Sequence, residues 1–180
     1  LGDVYKRQLK IVMSAENTFF QMRENPYMDE IYSRGFMTDL SKVRRNETSP
    51  LVYHKTFNYG DCVLEKRAAA AAGINEKIFI NTKGQISEGT VCNVFFVRKN
   101  MIYTPQLSCG LLPGILREYI MERFQVTETI IYPDELMYYE ECFVTNSLMG
   151  VMPVRQLGNI CFPHRAKADE AVSYTHLTLP

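Results

Sequence analysis

The chain has 180 residues, is 46% hydrophobic and 22% charged, and carries a formal net charge of +0. That length suits one domain, or one domain with part of another, and the apolar content supports a substantial core, which excludes an intrinsically disordered chain. No block of like charge points to nucleic acid or an anionic membrane surface, and no apolar run approaches the roughly 18 residues that span a bilayer.

Residues 1–8 and 172–180 resemble translated sequencing-adapter read-through and are set aside from the fold. There is no initiator methionine, so the natural protein is expected to begin upstream. Residues 9–15 alternate and predict a strand. Residues 15–27 are polar and irregular, punctuated by Pro26, and residues 35–45 alternate again. After a turn-rich link at 46–50, residues 49–59 place Lys55 in an apolar, aromatic, β-favouring run. Such a run predicts burial, and strand alternation would point His54 away from Lys55.

Residues 61–72 predict a helix, with Asp61 capping its start, Gly73 its end, and an alanine run suited to close packing. Residues 77–81 read as a strand and 82–84 as a turn. Residues 93–97 and 101–104 form a hairpin about 98–100. Pro113-Gly114 leads into a helix ending near residue 124. Residues 126–131 are a strand, Pro133 opens a short helix, and 141–145 and 150–154 are strands. Residues 165–170 begin a C-terminal helix. Strands dominate with helices interspersed, which predicts an α+β fold.

Five scattered cysteines without a CxxC pair argue for a reduced, cytoplasmic chain rather than a disulfide scaffold or a metal site. Cys92 and Cys142 sit in apolar strand contexts and read as core. None of the given residues reads as a secretory signal, which fits the same expectation.

Four islands carry the chemistry: residues 54–59, 86–95, 110–117 and 143–154. Each has an ordinary reading. Lys55 can snorkel from a strand end. Glu88 before Gly89 can be a solvated turn carboxylate, Pro113-Gly114-Ile115 a plain helix entry, and Asn146-Ser147 a loop satisfying its own backbone. Together they match the needs of a pyridoxal phosphate site: a lysine amine, an anion for the ring nitrogen, and backbone N–H groups for the phosphate. A helix N-terminus favours a dianion, and a glycine lets the backbone come close.

In these islands the sequence resembles the class IV aminotransferases, the fold-type IV pyridoxal phosphate enzymes, over about residues 9–154. The resemblance implies a large C-terminal domain over 49–171, truncated at its end. It also implies a remnant of a smaller N-terminal domain over 9–48, with the cofactor between the two domains of a homodimer. It makes Lys55 the Schiff-base lysine and acid/base catalyst, and Glu88 the partner of the pyridine nitrogen. Gly114, Ile115 and Leu116 would hold the phosphate, Leu116 standing where many relatives have threonine. Asn146 and Ser147 would lie in the second phosphate loop, and Tyr59 near the cofactor's phenolic oxygen. Arg44 and Arg45 read as strand-end surface charges.

Within the family, Asn58, the run 45–51 and Asn146-Ser147-Leu148-Met149 look most like aminodeoxychorismate lyases. Branched-chain aminotransferases usually show a Gly-Thr-Ala-Ala-Glu type of sequence in the last island. The resemblance thus implies release of pyruvate and p-aminobenzoate in folate synthesis. Transamination of a small-molecule amino substrate and a non-catalytic fragment are the alternatives.

Overall fold

The computed structural model describes residues 7–176, with the side chains of 174–176 left aside. The tail assigned to residues 1–8 therefore lies mostly outside the described residues, as do 177–180 of the other tail. Two strands, β1 (Arg7–Met13) and β2 (Thr18–Glu24), form a separate antiparallel ribbon. The stretch expected to be irregular thus contains a strand. Alternation explains it: Leu9, Ile11 and Met13 face the same side as their neighbours Phe20 and Met22 across the ribbon.

After a short helix α1 (Asp29–Arg34) come β3 (Phe36–Arg45), α2 (Gly60–Ala71), β4 (Glu76–Asn81), β5 (Ile86–Gly89), β6 (Asn93–Arg98) and β7 (Met101–Pro105). Helix α3 (Ile115–Arg123), β8 (Val126–Thr129), β9 (Glu141–Asn146), β10 (Gly150–Leu157), β11 (Ile160–Cys161) and α4 (Ala166–His176) complete the described chain. The fold is α+β, with a nine-stranded mixed sheet in the order β5-β4-β3-β10-β9-β6-β7-β8, and β11 beside β10. The β3–β4, β3–β10 and β7–β8 pairs are parallel, the others antiparallel. Ile86 N–H in β5 donates to Ile131 C=O just after β8, so the sheet curls until its two ends meet. β3, placed by sequence in a small-domain remnant, is an interior strand of this sheet. Residues 172–176 continue α4, and Val172 packs against the core.

Both faces of the sheet are covered, which explains its solid apolar strands. Val94, Phe96, Val144 and Met152 pack on one face. Phe95, Val97, Phe143 and Val151 pack on the other with Ile120 of α3 and Ala168 and Ala171 of α4. Phe95 and Phe143 stack with ring centroids 4.9 Å apart. The β6–β7 turn is a two-residue hairpin in which Lys99 and Asn100 both take positive φ.

Helix α2 departs from expectation at its start. Tyr59, not Asp61, holds the cap position, and Asp61 lies in the first turn. Gly73, at φ +70°, ends the helix as read, with Ile74 N–H donating back to Ala69 C=O. Of the alanine run only Ala69 is buried. Here alanine serves helix propensity more than packing. Among the described residues no helix is long and apolar enough to cross a membrane.

Candidate functional site

Lys55 does not sit in a strand. Ser49 accepts the Leu51 N–H, Pro50 opens a 3₁₀ turn over Pro50–Tyr53, and residues 54–59 run irregularly into α2. Lys55 is exposed rather than buried, as is His54. Proline and the serine cap override the β propensity of the flanking aromatics, so the alternation argument for His54 lapses. Leu51, Phe57 and Tyr59 remain on the surface.

Glu88, on β5, is the reverse case: it is only 5% exposed. Its Oε1 accepts from Arg45 Nη2 at 2.5 Å. Its Oε2 accepts from Leu112 N–H at 3.0 Å and, at 3.5 Å, from Asn93 Nδ2. Burial pushes the Glu88 carboxyl up to about 7, against the opposing pull of Arg45, the Leu112 N–H and the Lys55 charge. Lys55 is thus near enough for its charge to act at Glu88.

Arg45 is the main correction to the sequence reading. Arg44 is exposed, but Arg45 is 9% exposed and bonds Asp61, Cys62 and Glu88. A carboxylate buried this deeply needs a cation, and the end of the neighbouring strand supplies it. The role that the resemblance gives Glu88, an anion facing a ring nitrogen, was the one signal that could have prompted a search for that cation.

The turn after Glu88 is held from behind by Glu76, which is fully buried and accepts from Thr90 N–H and Thr90 Oγ1. Lys66 of α2 balances its charge at 3.0 Å.

From Leu112 the chain enters α3. Asn93 Nδ2 donates to Leu112 C=O at 2.9 Å. A Cβ placed on Gly114 would meet Asn93 Oδ1 at 2.2 Å, so only glycine fits there without a shift. Gly114 holds the cap position without any side-chain cap, and the first helical bond is Glu118 N–H to Gly114 C=O. The N–H groups of Ile115, Leu116 and Arg117 therefore have no partner within the helix. The Ile115 side chain is 77% exposed, while Leu116 turns toward the Phe95–Phe143 layer and contributes only its backbone to the helix start.

Asn146 and Ser147 follow β9. Asn146 Oδ1 accepts from Leu148 and Met149 N–H, and Nδ2 donates to Val91 C=O. Its side chain therefore holds the loop rather than standing free for a ligand, while Ser147 is exposed. Tyr59 lines a shallow apolar groove of about 320 Å³ with Cys62, Val63, Ala70 and Val91.

Glu88, Asn93 and Leu112 thus form one hydrogen-bonded unit, Gly114 packs against its Asn93 and leads directly into Ile115 and Leu116, and Asn146 bonds Val91, two residues before Asn93. Lys55 and Tyr59 are not bonded to that unit. They lie on the loop leading into α2, which Asp61 ties to Arg45. Asn93 and Leu112 were not singled out from sequence. Asn93 carried a signal, as the polar residue opening the apolar run of β6.

The unit suits a phosphorylated, ring-nitrogen cofactor. An uncapped helix start meets a glycine that packs against Asn93, and a buried carboxylate lies behind it. A carboxylate has about four acceptor positions, so Glu88 keeps one beyond those taken by Arg45, Leu112 and Asn93. Arg45 Nε and Thr145 Oγ1 are buried without a hydrogen-bond partner.

Residues 6–157 match the family described as Amino-transferase class IV. Similar proteins include the "Probable branched-chain-amino-acid aminotransferase" of Thermotoga maritima, 32% identical over 136 residues, 71% of this chain and 48% of that protein. The aminodeoxychorismate lyase of Bacillus subtilis is 29% identical over 140 residues, 75% of this chain and 47% of that protein. The chain thus spans about half the length of the curated relatives it matches. A solved Legionella pneumophila chain, a candidate 4-amino-4-deoxychorismate lyase, superposes with a TM-score of 0.81 at 26% identity, over 89% of this chain and 60% of that one. The chain belongs to the class IV aminotransferase family, whose enzymes depend on pyridoxal phosphate.

Proposed function

We propose that the whole protein is a pyridoxal phosphate-dependent aminodeoxychorismate lyase, releasing pyruvate and p-aminobenzoate. When bound, the cofactor supplies a carbonyl for the substrate's amino group and an electron-withdrawing ring beside the reacting carbon. The N–H groups of Ile115 and Leu116 would hold its phosphate at the positive end of α3, which Gly114 sets in place by packing closely against Asn93. Glu88 would face its ring nitrogen with the remaining acceptor position. Tyr59 would lie near its phenolic oxygen, and Ser147 would complete the phosphate cradle on a loop shaped by Asn146. Lys55 Nζ would take the proton from the amine-bearing carbon of the substrate. In the lyase reaction the ring carbon–oxygen bond of the enolpyruvyl ether would then break, the enolate would leave and take up a proton on carbon to become pyruvate, and the carbocycle would become aromatic.

The observation that carries the lyase reading is the Asn146 loop, closed on Leu148 and Met149 N–H and tied to Val91. In the Gly-Thr-Ala-Ala-Glu type of loop, usual in branched-chain aminotransferases, a glycine stands where this chain has Asn146 and offers no side chain there. The likeness to the Legionella chain and to the Bacillus enzyme supports the same reading. The second reading is a class IV aminotransferase, favoured by the Thermotoga relative, in which Lys55 would return the proton and no carbon–oxygen bond would break. Either reading carries with it a cytoplasmic homodimer acting on a small-molecule amino substrate.

Product analysis on the full-length protein separates them. Pyruvate and p-aminobenzoate formed together from aminodeoxychorismate, and lost with Lys55→Ala, establish the lyase. Amino transfer to a 2-oxo acid without pyruvate refutes it. Borohydride trapping of pyridoxal phosphate on Lys55 alone tests the cofactor site in the 180-residue chain, and a label spread over many lysines counts against it.

A further inference from the structure

Arg45 reaches Glu88 from the end of β3, and three elements fix its guanidinium. Nη2 lies 2.5 Å from Glu88 Oε1 on β5. Nη1 donates to Asp61 Oδ2 at 3.1 Å and to Cys62 Sγ at 3.4 Å, both in the first turn of α2. Cζ lies 4.6 Å from the centroid of the Phe79 ring on β4. Arginine suits this position because it stays protonated and offers several N–H donors in a rigid fork.

We propose that Arg45 is a positioning residue: clamped between Asp61 and Phe79, it holds Glu88 ionised and oriented, so that one carboxylate acceptor position stays open to a ring N–H. The proposal rests on the reading of Glu88 as the ring-nitrogen partner.

The charged and titratable groups around Glu88 are Arg45 from β3, Lys55 from the loop before α2, Cys62 from α2 and Cys92 before β6. Asp61 adds a negative charge on the far side of Arg45. The Leu112 N–H and the Asn93 amide are neutral donors. Arg45 is the cation hydrogen-bonded to Glu88, whereas Lys55 is exposed and acts from a distance. Removing one partner of a buried ion pair leaves the other uncompensated. A neutral residue at position 45 would leave Glu88 protonated, as a donor where an acceptor is needed.

The test is the titration of Glu88 by carboxyl ¹³C NMR in the 180-residue chain without cofactor, assigned with Glu88→Gln. Arg45→Gln is expected to raise the midpoint by about one pH unit or more, a tenfold gain in proton affinity. Arg45→Lys is expected to recover most of that shift. In the unmutated chain the Arg45 side-chain ¹⁵N signals are expected to move with the Glu88 midpoint, a readout that does not depend on any variant folding. An unmoved midpoint in folded Arg45→Gln, or Arg45 signals indifferent to Glu88, overturns the proposal.

Borohydride trapping on the same samples separates the two readings. An adduct at Lys55 with an unmoved midpoint overturns the role of Arg45 alone. A shifted midpoint without an adduct at Lys55 supports the Arg45–Glu88 coupling and overturns the cofactor reading.

Discussion

Gly114→Ala tests whether the start of α3 is built by close approach. The backbone there, at φ −75° and ψ 137°, is open to any residue, so strain is not the issue. On backbone entropy alone, alanine would stabilise by about 0.4–1 kcal/mol. Space decides otherwise, because the new Cβ would lie 2.2 Å from Asn93 Oδ1, more than 1 Å inside ordinary contact. Asn93 cannot yield freely: its amide donates to Leu112 C=O, and Leu112 N–H in turn donates to Glu88. Overpacking of this kind costs about 1–3 kcal/mol, and a broken hydrogen bond about 1 kcal/mol more. The net expectation is destabilisation of about 1–3 kcal/mol, with weaker binding of pyridoxal phosphate as the helix start shifts. With a urea slope of about 1–3 kcal/mol/M, the midpoint falls by roughly 1 M. Gly60→Ala at the start of α2, where a Cβ meets nothing within 4 Å, is the control and should be neutral or mildly stabilising. A Gly114→Ala chain as stable as the original would refute the reasoning.

Glu88 makes stability depend on pH. Its folded pKa, about 7, lies above its ordinary 4.5, so between those values the folded chain holds a proton that the unfolded chain releases. This contribution is full below about 4.5 and is lost as pH rises to about 7, a change on the order of 2–3 kcal/mol. Urea titrations at pH 5 and 7.5 should show that loss reduced in Glu88→Gln, and parallel profiles would count against it. Phe143→Ala should cost about 3–5 kcal/mol by denaturant titration, because the ring is fully buried and stacked on Phe95. Replacing the facing pair Ile11 and Phe20, 54% and 66% exposed, by Lys and Glu should reduce aggregation in light scattering. The same change should shift the unfolding free energy by no more than about 0.5 kcal/mol, and a larger loss would show that this face is packed.

What was legible in the sequence followed where local chemistry and tertiary context agree. The β6–β7 hairpin, the glycine at the end of α2 and the entry into α3 are each set by a few adjacent residues. The stretch around Lys55 was misread because Pro50 and Ser49 determine the local path, and its aromatics are left facing solvent. Arg45 was misread for the opposite reason. Its burial is dictated by Glu88, 43 residues further on, and strand periodicity carries no record of that.

The two halves of the site therefore differ in kind. The acid half is built within this chain: Glu88 bonds Arg45, Asn93 and Leu112, leaving Arg45 Nε and one acceptor position of Glu88 unfilled, and burial raises the value of each bond. The lysine half is open: Lys55 is exposed, and so is the apolar ring of Phe57 two residues on, at 62%. A lysine amine becomes a useful base at neutral pH once it loses water, and apolar surface of that extent usually meets a cover. In the proposed whole protein that cover would come from residues beyond the described ones, this chain spanning about half the length of its curated relatives. Lyase and aminotransferase chemistry would share the proton transfer at Lys55 and the buried carboxylate that supports it. Under the proposed function, what separates the two reactions is therefore the shape of the pocket around the lysine, the Asn146 loop included.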